Sequence, residues 1–135
     1  MNKQDSQNKA VKFWLAYAKD NFIAAKAMFK AGRWSLCMFM CQQTLEALLK
    51  AIVIIQIKKQ PPYIHELGLI LRASGLKAPS GIINSLRELD KHYIKTRYKE
   101  DRFNSKVYNK ESAFYIMQQT RKTIKWFTKK ANLNL

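Results

Sequence analysis

Between positions 92 and 103 the chain reads HYIKTRYKEDRF, in which Tyr93, Tyr98 and Phe103 alternate with Lys95, Arg97, Lys99 and Arg102. An arginine fork can hold a phosphate in two places, and an aromatic ring gives a base a face to stack on. The pattern therefore predicts an anion-binding loop built around Lys95, Arg97, Tyr98 and Arg102. The alternative is a loop whose tyrosines only cover the end of a helical bundle. A second polar set stands at helical spacing in an otherwise apolar stretch: Gln42 or Gln43, then Glu46, then Lys50. Glu ahead of Lys at four residues is the favourable order for a helical ion pair. Charges in so apolar a segment need partners, so this line either fixes helix register or forms the floor of a pocket. His65 stands where it can cap the next helix or hydrogen-bond the Glu46 line. No Gly-rich phosphate loop, carboxylate pair or Ser/His/Asp set is visible. Cys37 and Cys41 lie four apart on one helix, a poor geometry for a disulfide, and no zinc-ligand spacing accompanies them. They read as reduced core residues, and no cofactor or metal is expected.

The elements that must position these residues are helices. Only four glycines and three prolines interrupt 135 residues, so few turns separate long segments. Residues 10–31 carry an apolar stripe of Leu15, Ala18, Phe22, Ala25 and Phe29, with Lys12, Lys19, Lys26 and Lys30 on another face, and Gly32 as the stop. A second helix over about 33–59 is apolar nearly all round, which marks it as central, and Pro61-Pro62 ends it. A short third helix is expected over 65–73 and a fourth from Pro79-Ser80, with Ile82, Ile83, Leu86, Leu89 and Tyr93 inward. Periodicity fails from 96 to 109. Asn109 then caps a last helix to about Lys130, with Ala113, Ile116, Met117, Thr120, Ile124 and Phe127 as its stripe.

The expected fold class is all-α: an antiparallel up-and-down helical bundle of four long helices plus one short helix. Residues 1–9 read as a flexible N-terminus before a single domain over 10–135. The stretch 34–57 is broken by Gln42, Gln43, Glu46 and Lys50, so no clean membrane span of about 18 residues is expected. No signal peptide opens the chain, and the expected location is cytoplasmic. The net charge is +16, and residues 91–130 hold twelve Lys or Arg against three acids. Such a field favours anionic partners, nucleic acid and nucleotides among them.

Trp14 and Asp20, CQQTLEALLKA (41–51), PPYIHELGLIL (61–71) and LDKHYIKTRY (89–98) together give the chain a resemblance, over nearly its whole length, to the HEPN domain. The resemblance implies a helical homodimer with a nucleotide- or RNA-related role, often beside a minimal nucleotidyltransferase partner. Many HEPN proteins are metal-independent ribonucleases whose motif is an Arg, four to six residues, then a His. Arg97 stands at the place of the family arginine, but five residues on the chain has Arg102, and no histidine follows His92. Arginine stays charged and cannot shuttle a proton from a ribose 2′-hydroxyl as imidazole can. Arg87 and His92 have the right spacing, yet five residues on a helix put them about 140° apart. The expectation is a dimeric HEPN-like protein that binds a nucleotide, RNA or a nucleotidyltransferase and lacks nuclease activity. Arg97, Tyr98, Lys95, Arg102, His65, Glu46 and Lys50 are its ligand-binding candidates. The alternative is a ribonuclease toxin of a toxin–antitoxin pair, with Arg87 and His92 as its catalytic residues.

Overall fold

A computed structural model describes residues 2–95 and 99–135, with side chains at 94, 95, 99 and 100 left undescribed. Helices α1 (Lys3–Lys30), α2 (Trp34–Ile57), α3 (Leu67–Ser74), α4 (Ser80–Lys95), α5 (Lys99–Arg102) and α6 (Lys110–Lys130) follow one another without a strand among the described residues. Four are long and α3 is short, in accord with the expected all-α bundle. The added element is α5, a single turn inside the segment that the sequence reads as irregular.

The centre is α2. Every residue from Thr44 to Ile54 is buried, because α1, α3, α4 and α6 all pack around this helix. That burial answers its composition. By length and mean hydropathy (1.5 over 18 residues) α2 could cross a membrane despite its polar interruptions, but 78% of that window is buried inside the bundle. Its apolar surface is therefore used by the core. On α1, Ala18 and Ala25 are fully buried at seven-residue spacing, two turns apart on one face. On α6, Ala113, Ile116, Met117, Thr120 and Phe127 are buried as their stripe predicts, and Ile124 is half-buried against the core.

The helix ends explain where the sequence reading and the structure part. Helix α1 begins at Lys3, so residues 3–9 are helical and not a loose N-terminus. The Asn2 side chain accepts the Asp5 N–H at 2.8 Å, and Asp5 places a negative charge in the first turn. Helix α3 starts at Leu67, leaving His65 ahead of it. The Leu67 N–H donates to both oxygens of Asp90 on α4 (2.9 and 3.0 Å), so a distant carboxylate does the capping. Burial pushes the Asp90 carboxyl above the usual carboxylate range, against the pull of the Leu67 N–H and Gln42. Asn109 caps α6 as expected, in a reciprocal box with Ser112.

Candidate nucleotide-binding and polar sites

The polar line of α2 is assembled in three dimensions. The Lys50 ammonium lies 3.1 Å from Glu46 Oε2, and both side chains are less than a tenth exposed. His65 Nδ1 sits 3.1 Å from each Glu46 oxygen. A carboxylate can only accept there, so Nδ1 is the donor and carries its hydrogen. Gln42 donates to the His65 carbonyl at 2.8 Å, and Gln43 donates to the Gln42 side-chain oxygen at 2.7 Å. The His65 ring stacks on Tyr93 of α4 (centroids 5.0 Å apart), which stacks in turn on Phe39 of α2 (5.8 Å). Glu46, Lys50 and His65 thus come together. Their bonds tie the loop before α3 to the central helix, with the Glu46 negative charge shared by Lys50, His65 and, at 3.4 Å, Gln43.

The charged loop is only partly within view. Arg97 and Tyr98 lie outside the described residues, as does the Lys95 side chain. Arg102, at the end of α5, lines a cavity of about 470 Å³ together with Arg33, Trp34, Phe103, Ser105 and Tyr108. None of the described residues that line it is acidic, and Asp101 lies near its Tyr108 wall. Phe103 is 71% exposed, with the Arg102 guanidinium 5.9 Å from its ring centroid. Two guanidinium groups, three aromatic side chains and a hydroxyl therefore face one opening. Burial pushes the Tyr108 phenol up to about 12, with the nearby Asp101 carboxylate adding to the shift. Sequence reasoning missed Arg33, Trp34, Ser105 and Tyr108. The usable signal was Gly32, whose φ of +71° turns the chain and delivers the next two residues to the bundle end.

Arg87 and His92 are not presented together. Arg87 is exposed, on a groove it shares with Glu66, Arg72, Lys77 and Asp90. His92 is buried, its Nδ1 3.2 Å from the Tyr108 hydroxyl and its ring edge-on to that phenol at 5.5 Å. Cys37 and Cys41 are free and buried. A mutual hydrogen bond lowers the Cys37 thiol and, with burial, raises Cys41 well above the ordinary range. Among the described residues, no three of His, Cys, Asp and Glu gather as a metal site would require.

The sequence model of the HEPN domain matches residues 11–131, nearly all of the helical bundle. This chain belongs to the HEPN family. Two solved structures share its fold. The crystal structure of TT1696 from Thermus thermophilus superposes with a TM-score of 0.77 at 23% identity, over 89% of this chain and 97% of that one. An archaeal HEPN homologue, ST0689, does so with a TM-score of 0.74 at 20% identity, over 90% and 97%. No curated protein matches the chain significantly. His92, which stands five residues after Arg87, is buried in the core.

Proposed function

We propose that this HEPN protein binds the phosphates of a nucleotide or of single-stranded RNA without cleaving it, at the cavity between Arg33 and Arg102. The observation that carries the reading is the convergence of these two arginines with Trp34, Phe103 and Tyr108, with no acid among the described lining residues. A guanidinium pair suits a doubly charged phosphate, and the exposed Phe103 ring suits a base. The +16 charge supplies long-range attraction for the same ligands. A nuclease toxin using Arg87 and His92 is the weaker reading, because no open surface holds both side chains.

We also propose that the chain is a homodimer, through a surface other than α2. That helix is wrapped within one subunit by α1, α3, α4 and α6. The outer face of α1 argues for an interface: Phe13 is 60% exposed and stacks on Tyr17, itself 42% exposed (centroids 6.0 Å apart). A nucleotidyltransferase is the expected protein partner, a reading that rests on the family. The test of the ligand claim is fluorescence anisotropy with a labelled single-stranded RNA and with ATP as competitor. Saturable binding that weakens in Arg102→Ala supports it, and binding unchanged by Arg102→Ala removes the cavity from consideration.

A further inference from the structure

At the far end of α2 a second cavity of about 500 Å³ opens between the first turns of α1 and the Pro61-Pro62 segment. That volume falls in the range of roughly 300–1,000 Å³ typical of small-molecule sites. Its apolar lining is the indole of Trp14, the Ile54 side chain, and the rings of Pro61 and Pro62. Tyr63, 89% exposed with its hydroxyl held by Gln60 at 3.1 Å, stands at the edge. Four of the lining residues are lysines, and none of those described is acidic.

The four lysines have different parts. Lys50 is buried and committed to Glu46, and its ammonium lies 5.3 Å from the Trp14 ring centroid. It brings polar donors to the cavity but little net charge. Lys3, Lys58 and Lys59 are exposed at the mouth, and among the described residues no ion pair holds any of them. Lys58 occupies a left-handed backbone position (φ +62°) where glycine is the usual residue. Its N–H closes α2 on the Ile54 carbonyl, and its own carbonyl accepts the Gln7 side chain of α1 at 2.6 Å. The strained turn is therefore pinned to the opposite wall. It holds a cation beside the opening where a glycine would relieve the backbone.

We infer that this cavity binds a small amphipathic anion, a flat aromatic body carrying one phosphate or sulfonate group. The ring lies between Trp14 and the Pro61-Pro62 wall, and the anionic group meets Lys58, Lys59 and Lys3. The site is separate from the Arg33–Arg102 cavity, and the proposal stands whether or not that one binds nucleotides. The Trp14 indole offers an aromatic body a stacking face that an acyl chain cannot use, and the absence of acids among the described lining residues admits the charge.

The test is calorimetric titration of the full chain with 1-naphthyl phosphate, against inorganic phosphate and neutral naphthalenemethanol as half-ligands. The wild type should bind 1-naphthyl phosphate saturably, at least tenfold tighter than either half and tighter than dodecyl phosphate. Charge reversal at the mouth (Lys58→Glu with Lys59→Glu) should weaken binding at least tenfold, whereas Lys129→Glu with Lys130→Glu should not. Ala10→Trp, which fills the cavity and leaves its charge intact, should weaken binding to a similar degree. The inference is overturned by absent saturation, by equal losses from the two lysine pairs, or by inorganic phosphate binding as tightly as the aryl phosphate.

Discussion

His92 Nδ1 of α4 lies 3.2 Å from the hydroxyl of Tyr108, and the two rings meet edge to face. The same Tyr108 lines the cavity shared by Arg33 and Arg102. The imidazole five residues after Arg87 therefore supports a wall of the proposed anion site from behind. Its burial, at 6% exposed, keeps it from solvent.

Replacing it is expected to cost stability and not activity. His92→Ala leaves the buried phenol hydroxyl without this partner, a loss on the order of 1–3 kcal/mol. Urea unfolding measures the loss, and incubation with RNA at pH 7 should show no cleavage by either protein. RNA cleavage by the wild type that disappears in a stably folded His92→Ala would restore the nuclease reading.

Tyr108 also sets a pH dependence. Its phenol titrates at about 12 in the fold, above an ordinary value of about 10 in the unfolded chain. Between those values the folded state keeps a proton that the unfolded state has lost, so stability falls as pH rises through that window. Absorbance titration of phenolate should show a late-ionising tyrosine that is missing in Tyr108→Phe. That variant should lose less stability than the wild type between pH 10 and 12.

The buried pair on α2 gives a third expectation. Glu46→Gln leaves the Lys50 ammonium without its counter-charge and His65 with one acceptor oxygen in place of two, which should cost about 3–5 kcal/mol in denaturant unfolding. Replacing both Glu46 and Lys50 by leucine should recover much of that loss, because no unpaired buried charge remains. Similar losses in the single and double variants would show that the pair is not coupled.

The helices were readable because each carries local marks: the Gly32 stop, the Pro61-Pro62 break, the Asn109 cap and the α6 stripe. The Glu46–Lys50 pair was readable for the same reason, since its partners are four residues apart on one helix. What escaped was non-local. Asp90 caps α3 from another helix, which displaced the expected start from His65 to Leu67. Asn2 caps α1 so early that a polar stretch with no apolar stripe is nevertheless helical. Arg33 and Arg102 share a cavity only because the α1–α2 turn and α5 fold to the same end, and no spacing in the sequence encodes that.

A homodimer through α1 predicts that sedimentation at tens of micromolar gives twice the mass of the 15.8 kDa chain. Tyr17→Glu with Phe13→Glu places charge on an exposed apolar face and should yield monomers with unchanged helix content. A monomeric wild type, or a dimer indifferent to these changes, would move the interface elsewhere.

The central claim is that Arg33 and Arg102 hold one phosphate together. A double-mutant cycle on binding of a labelled single-stranded RNA tests it most directly, with Arg33→Ala, Arg102→Ala and the double variant beside Lys12→Ala as a surface control. Each arginine variant should lose on the order of 1–3 kcal/mol of affinity and flatten the salt dependence by about one unit of slope. The double variant should lose measurably less than the sum, and Lys12→Ala should lose little. Strictly additive losses no larger than that of Lys12→Ala would mean diffuse attraction to a basic surface, and would contradict a shared site.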